Sequence, residues 1–255
     1  MATAQLAERV RVAHADAWQE QGRLRVPHGG GTAELPGIRL MASGLPHPQW
    51  NNGDVTDVGR VDVAEVAAWY AARGVPWGVR VPAGEPWPHG RLLFGKRLMG
   101  LTRLRPAPEV PGLRVRAASP ADLKAVLHVD SVAFRCEPAQ ERPWVEPHLS
   151  ADRVTVALAL LGDEPVGTAY LLRSDGRAGR AAYLAGVAVL PEARRRGVGA
   201  ATSSWLVARA LADGADLAHL HPDDDAAGRI YGRLGFVEVP GFDVYVDLVA
   251  RDAGR

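Results

Sequence analysis

Between Val187 and Ala200 the chain reads Val-Ala-Val-Leu-Pro-Glu-Ala-Arg-Arg-Arg-Gly-Val-Gly-Ala. A strand-like apolar run passes through a proline and three consecutive arginines into a helical pattern, and that passage suits an anion. Gly197 and Gly199 can take backbone angles closed to other residues, and the unpaired N–H groups of a first helical turn point at whatever lies before it. Arg194, Arg195 and Arg196 add charge-assisted hydrogen bonds. Two familiar phosphate loops do not fit. No Lys-Ser or Lys-Thr follows Gly199, and the third glycine of the dinucleotide fingerprint is missing. The expected ligand is therefore a phosphate-bearing molecule other than a P-loop nucleotide or a dinucleotide. A second constellation, Ala227-x-x-x-Tyr231-x-x-x-Gly235-Phe236, puts a phenol on a helix that a glycine ends. At helical spacing with Ala227 and Leu234, Tyr231 reads as a core aromatic.

Other reactive residues read more plainly. His219 and His221 before Pro222-Asp223-Asp224-Asp225 invite a metal reading, but an acidic turn before a helix is favoured by capping and the helix dipole alone, and no metal site is expected. Cys136 has no His beside it in sequence and reads as an inert thiol. Gly29-Gly30-Gly31 lacks a strand-to-helix context and reads as a loop.

The elements that must position these residues follow from length and pattern. The chain has 255 residues, 30 basic and 29 acidic, with 47% apolar residues and one cysteine. That size holds one large domain or two small ones without disulfides. The near-zero balance gives no overall pull toward nucleic acid or an acidic membrane, and no apolar run approaches the length of a bilayer span. A cytoplasmic protein without nucleic-acid or membrane partners is the expectation. Only Lys96 and Lys124 are lysines, a skew that reads as the codon bias of a GC-rich genome.

In the first hundred residues the pattern predicts a helix from Ala2 to Gln21, a loop over Pro27 to Gly31, a strand from Ile38 to Ala42 and an irregular stretch from Gly44 to Asp57. A helix capped by Asp62 follows, then a strand from Val75 to Val81, and a short helix with a strand within Arg91 to Leu104. Three prolines at 106, 108 and 111 mark residues 106–112 as an extended linker between domains 1–105 and 113–255. Beyond it come a strand at Leu113 to Arg116 and a helix opened by Ser119-Pro120 with apolar Leu123, Val126, Leu127 and Val132. Strands at Val154 to Leu161, Val166 to Leu172 and Ala182 to Leu190 follow. The remainder reads as a helix from Val198 to Gly214, a strand at Leu217 to Leu220, a helix from Asp224 to Leu234, and strands near Val237 and at Val244 to Leu248. The order is β-α-β-β-β-α-β-α-β-β.

On these residues the chain resembles the GCN5-related N-acetyltransferase (GNAT) superfamily. Arg194-x-x-Gly197-x-Gly199, with Val189-x-Pro191 before it, matches the family's acetyl-coenzyme A (acetyl-CoA) signature. The Ala227 to Phe236 segment matches its helix-to-strand motif beside the cofactor thiol. The resemblance covers about Leu113 to Val249 and departs at Asp224, where the family often has Asn. It implies a mixed α/β GNAT fold, a mostly antiparallel central sheet flanked by helices, in two GNAT-like halves. The first would be a degenerate copy that binds no coenzyme and shapes the acceptor pocket, with Trp50, Trp69, Trp77 and Trp87 in its core or pocket wall.

The resemblance further implies direct transfer of acetyl from acetyl-CoA to the primary amine of a small molecule, without a metal. Val187, Ala188 and Val189 would pair with the pantetheine arm as an added strand would, and Arg194 to Ala200, Val198 included, would hold the pyrophosphate. Asp224 and Ala227 would border the coenzyme, and Tyr231 would protonate the departing thiolate. A base is also implied, with Glu137, Glu141, Glu146 and His219 as candidates. The alternative is a non-catalytic acyl-CoA sensor, and a homodimer is left open.

Overall fold

The computed structural model describes residues 3–246. In chain order the described elements are α1 (Thr3–Leu24), β1 (Gly31–Leu35), β2 (Ile38–Ala42), β3 (Asn52–Val55), α2 (Val63–Ala71), β4 (Gly78–Pro82), β5 (Arg91–Leu101), β6 (Leu113–Ala117), α3 (Leu123–Phe134), α4 (Pro138–Val145), β7 (Val154–Leu161), β8 (Glu164–Gly176), β9 (Gly179–Val189), α5 (Val198–Ala212), β10 (Leu217–Leu220), α6 (Asp225–Leu234) and β11 (Val237–Val246). The class is the mixed α/β one that the resemblance implied. Two compact units form among the described residues, one from residues 3–98 together with residues 239–246, the other from Met99 to Glu238. The chain thus changes unit inside β5 and inside β11, whereas the proline pattern suggested a division at residues 106–112. The prolines exclude regular structure there without freeing the segment. Arg105 N donates to Leu234 O (2.9 Å) and Ala107 N to Ser204 Oγ (3.1 Å), tying it to the second unit.

In the first unit the strands lie in the order β1-β2-β3-β4-β11-β5. β3 and β4 are parallel, and α2 makes the crossover between them. α2 starts where Asp62 accepts from Ala64 N and Glu65 N, as its sequence predicts. Tyr70 on its buried face donates its hydroxyl to Met41 O (3.0 Å) and stacks on Trp77 at 4.8 Å. β1, which meets the expected Pro27–Gly31 loop only at Gly31, and β3, inside the stretch expected to be irregular, are strands that the pattern does not predict. β3 is Asn52-Gly53-Asp54-Val55, polar and yet wholly buried, because Arg80 of β4 meets Asp54 at 2.8 Å. Trp18 Nε1 donates to His14 Nε2 (3.1 Å), and burial pushes the His14 imidazole down to about 4, so it stays neutral beside this ion pair. Within Arg91 to Leu104, where a short helix before a strand is expected, Arg91–Leu101 is one continuous strand.

The second unit has the strand order β10-β9-β8-β7-β6, and Met99–Leu101 of β5 run antiparallel to β10. β9 and β10 are parallel, with α5 crossing between them. α5 and α6 bury Leu206, Val207, Ala210, Tyr231 and Leu234 against Leu171, Ala182, Leu184 and Ala218 of the sheet. On the other face Val129 of α3, with Ala133 beside it, packs on Ala188 and Leu190. α3 opens through Asp122, whose Oδ2 accepts from Ser119 N (2.8 Å) and which holds Arg116 through two hydrogen bonds of 2.9 and 2.6 Å. α4 has no counterpart in the sequence reading, since Pro138 and Pro143 interrupt any helical pattern there; Pro138 fills the first helical position, where a missing N–H costs nothing. The two strands expected after residue 236 are one, β11, and Asp247 and Leu248 lie outside the described residues.

Candidate active site

The site is built around a discontinuity in β9. The β9–β8 register shifts by one residue between Thr168 and Tyr170, and Gly186 sits in the bulge at φ +59°. A Cβ at that position would come within 3.0 Å of the Tyr170 ring, so both the angle and the space favour glycine. The extra residue reverses the parity of the strand. Ala182 and Leu184 face the α5 core before the bulge, and Val187 faces it afterwards, while Ala188 turns to α3. The β9–β10 ladder ends at the pair His219↔Tyr183, so the half of β9 that carries Val187, Ala188 and Val189 runs on past it. That is the geometry a strand needs to accept an extended ligand arm along its edge.

The chain then turns through a short 3-10 stretch, Pro191–Ala193, into the loop before α5. Arg195 (φ +61°) and Gly197 (φ +86°) both hold left-handed backbone angles there. For Arg195 this costs about 1 kcal/mol or more, a strain that such loops keep where the backbone must face a ligand. The first α5 hydrogen bond is Ala201 N to Gly197 O (2.9 Å), and no side chain caps the helix. The N–H groups of Val198, Gly199 and Ala200 therefore stand at a helix N-terminus with its positive dipole end, flanked by the exposed Arg195 and Arg196. A Cβ on Gly199 would touch Val189 at 3.5 Å and Val187 at 3.8 Å, which places the start of α5 directly over the continuing half of β9. Cradle and strand edge adjoin, and together they fit a ligand with a phosphate end and an extended amide-bearing arm.

Arg194 has a different job from its neighbours. Its Nε donates to Val189 O (3.1 Å) and its Nη2 to Ala133 O (3.4 Å), so it braces the loop against β9 and the end of α3.

Tyr231 lies on α6 and is 8% exposed. Burial, then the charges of Asp223 and Asp224, raise its phenol above the ordinary range, so it stays protonated at any physiological pH. Ser203 of α5 stands beside the phenol without a hydrogen bond of normal geometry to it. The ring packs edge-on to Phe236 at 5.9 Å, and Gly235, at φ +101°, ends the helix between them. Asp224 caps α6 by accepting from Ala227 N at 2.7 Å, which couples those two site candidates to each other.

The candidate bases separate clearly. Glu146 is exposed and engaged by Arg142 at 2.9 and 3.0 Å, and Glu137 is exposed. His219 is fully buried and stacked on Tyr183 at 5.2 Å. Glu141 is half-buried on α4, beside the Cys136 thiol, which burial and that carboxylate push up to about 11 and keep inert. The carboxylate that sequence reading missed is Asp130. It lies on the buried face of α3 with Val126, Leu127 and Val129, whereas Val132, assigned to that face, is 39% exposed. The available signal was an acid four residues after Val126, inside the apolar stripe. Burial, then the charge of Glu141, raises the Asp130 carboxyl to about 7.

Residues 114–239 match the family model described as an acetyltransferase (GNAT) domain. No curated protein matches the sequence. Among solved structures, a GCN5-related N-acetyltransferase from Kribbella flavida is similar over 92% of this chain and 95% of its own, at 21% identity and a TM-score of 0.66. A functionally unknown conserved protein from Staphylococcus epidermidis is similar over 86% and 95%, at 15% identity and a TM-score of 0.59. A tandem GNAT protein from the clavulanic acid biosynthesis pathway is similar over 82% and 77%, at 16% identity and a TM-score of 0.55. These likenesses establish the fold.

Proposed function

Because the chain belongs, through residues 114–239, to the GNAT acetyltransferase family, we propose that it moves an acetyl group from acetyl-CoA directly to a primary amine of a small-molecule acceptor. The observation that carries this reading is the pairing of the uncapped α5 N-terminus, Gly197 at φ +86° before it, with the half of β9 that runs past its ladder with β10. The N–H groups of Val198, Gly199 and Ala200, with Arg195 and Arg196, bind the diphosphate. The backbone of Val187 and Val189 aligns the pantetheine arm, and Arg194 keeps the loop in register with β9. Bound acetyl-CoA supplies an activated thioester. The chain's own residues orient it, exclude water from the carbonyl and manage protons. Tyr231 holds a proton on its phenol oxygen at neutral pH and delivers it as the carbon–sulfur bond breaks.

A coenzyme-release assay over a library of amino acids, polyamines and aminoglycosides, with and without acetyl-CoA, tests the reading. Amine-dependent release of free thiol supports it. Coenzyme binding with no turnover across the library favours the acyl-CoA sensor instead.

A further inference from the structure

Asp130 is anomalous in a way the acyl-CoA cradle does not explain. It is 8% exposed, and among the described residues no hydrogen bond or cationic side chain meets its carboxylate. The charged group acting on it is another carboxylate, Glu141 of α4, and the third titratable neighbour is the Cys136 thiol between the two helices. A buried carboxylate is ordinarily paired, because burying an unpaired charge costs several kcal/mol. Two acids with no basic partner make a site for a cation. An organic cation, which one or two carboxylates can receive through charge-assisted hydrogen bonds, is an occupant of that kind.

The position of Asp130 indicates which one. Val129, the preceding residue, packs on Ala188 and Leu190 of the bulged β9 edge. Ala133, one helical turn on, gives its carbonyl to Arg194 of the loop before α5. Asp130 is therefore fixed on the α3 turn that touches both halves of the cradle.

Building on the acetyltransferase reading, we propose that Asp130, with Glu141 beside it, receives the protonated amine of the acceptor and takes its proton. The amine arrives as an ammonium ion. Asp130 accepts one proton, which leaves the nitrogen lone pair free. The nitrogen–carbon bond forms at the acyl carbon as the carbon–sulfur bond breaks, and the sulfur takes up a proton, so the second proton of the amine is balanced by the thiol. Asp130 then releases its proton to solvent. An Asp130 carboxyl that titrates near neutrality suits this exchange. The acceptor class that follows is an aliphatic amine cationic at neutral pH.

The test uses the full chain and its Asp130→Asn, Asp130→Glu and Glu141→Gln variants. Acetyl-CoA affinity is measured by calorimetry, and turnover of the amine library is followed across pH 5 to 9. Asp130→Asn should leave acetyl-CoA affinity unchanged and lower kcat/KM by about 10²–10⁴-fold, a typical general-base effect. It should also remove the rise of kcat/KM through pH 7. Asp130→Glu should restore part of the rate, and Glu141→Gln should raise KM for the amine and move that rise to lower pH. An unchanged rate and pH profile in Asp130→Asn overturns the assignment. A wild-type protein that binds no acetyl-CoA, or that binds it and turns over no amine, overturns the acetyltransferase reading itself. If Asp130→Asn does not fold, Glu141→Gln decides by the same pH shift.

Discussion

Replacing Asp130 by Asn should make the protein more stable, by an amount that depends on pH in a defined direction. In the unfolded chain the carboxyl titrates near its ordinary value of 3.8, and in the folded chain near 7. Between those values the unfolded state gives up a proton that the native state keeps, so native stability falls as pH rises from about 4 to 7 and levels off above. At about 1.4 kcal/mol per pH unit the gap amounts to about 4 kcal/mol at full ionisation. An amide has nearly the shape and polarity of the neutral acid, so at pH 4 wild type and Asp130→Asn should differ little. At pH 8 the variant should be more stable by about 3–4 kcal/mol, since it carries no buried charge. Urea unfolding followed by circular dichroism at the two pH values measures this, and the change between them cancels whatever the amide itself does to packing. Equal differences at pH 4 and pH 8, or a variant less stable at pH 8, would mean that Asp130 does not bury an unpaired charge. A gain in stability combined with a loss of turnover is the pattern expected of a residue kept for function at the expense of the fold.

Tyr231→Phe should lower kcat with little change in acetyl-CoA affinity, because the ring contact with Phe236 survives and only the proton is lost; steady-state kinetics beside calorimetry will separate the two, and an unchanged kcat removes the acid role. Asp122→Ala should destabilise by about 1 kcal/mol at pH 7, a value discounted for solvent screening of the half-exposed Arg116. Arg116 holds the Asp122 carboxyl far below its ordinary value, so that cost should shrink only as pH falls below 3.8, and melting temperatures across acid pH will show it. Asp62→Ala removes the cap of α2 and should cost about 1 kcal/mol, read as a lower midpoint in urea.

What the sequence disclosed depended on whether a residue's role was local. Asp62, Gly235 and the Gly197 to Ala200 turn act through their immediate neighbours, and their spacing alone placed the caps and the loop before α5. β3 was hidden because its burial depends on Arg80, 26 residues away from Asp54 in sequence, so its polar residues imitate a loop. β5 was hidden because Leu92 and Leu93 are exposed and Gly95 breaks the alternation expected of a strand. α4 was hidden by its prolines. The bulge at Gly186 is invisible in composition, since its effect is a reversal of parity that only the partner strand reveals. Asp130 was passed over for a related reason. An acid in an apolar stripe reads as a solvated residue at the edge of a helix, and only packing against β9 shows that it is inside.

The loop before α5 and the adjoining β9 edge are the proposed acetyl-CoA site. Calorimetric titration of acetyl-CoA into the wild-type chain and into Gly197→Glu tests it most directly. Gly197 stands at φ +86°, and a Cβ there would already meet Val110 at 3.0 Å, so a glutamate strains the turn and brings negative charge to the diphosphate. Saturable one-to-one binding by the wild type should be lost in Gly197→Glu; equal affinity in both would mean that acetyl-CoA does not sit on this loop.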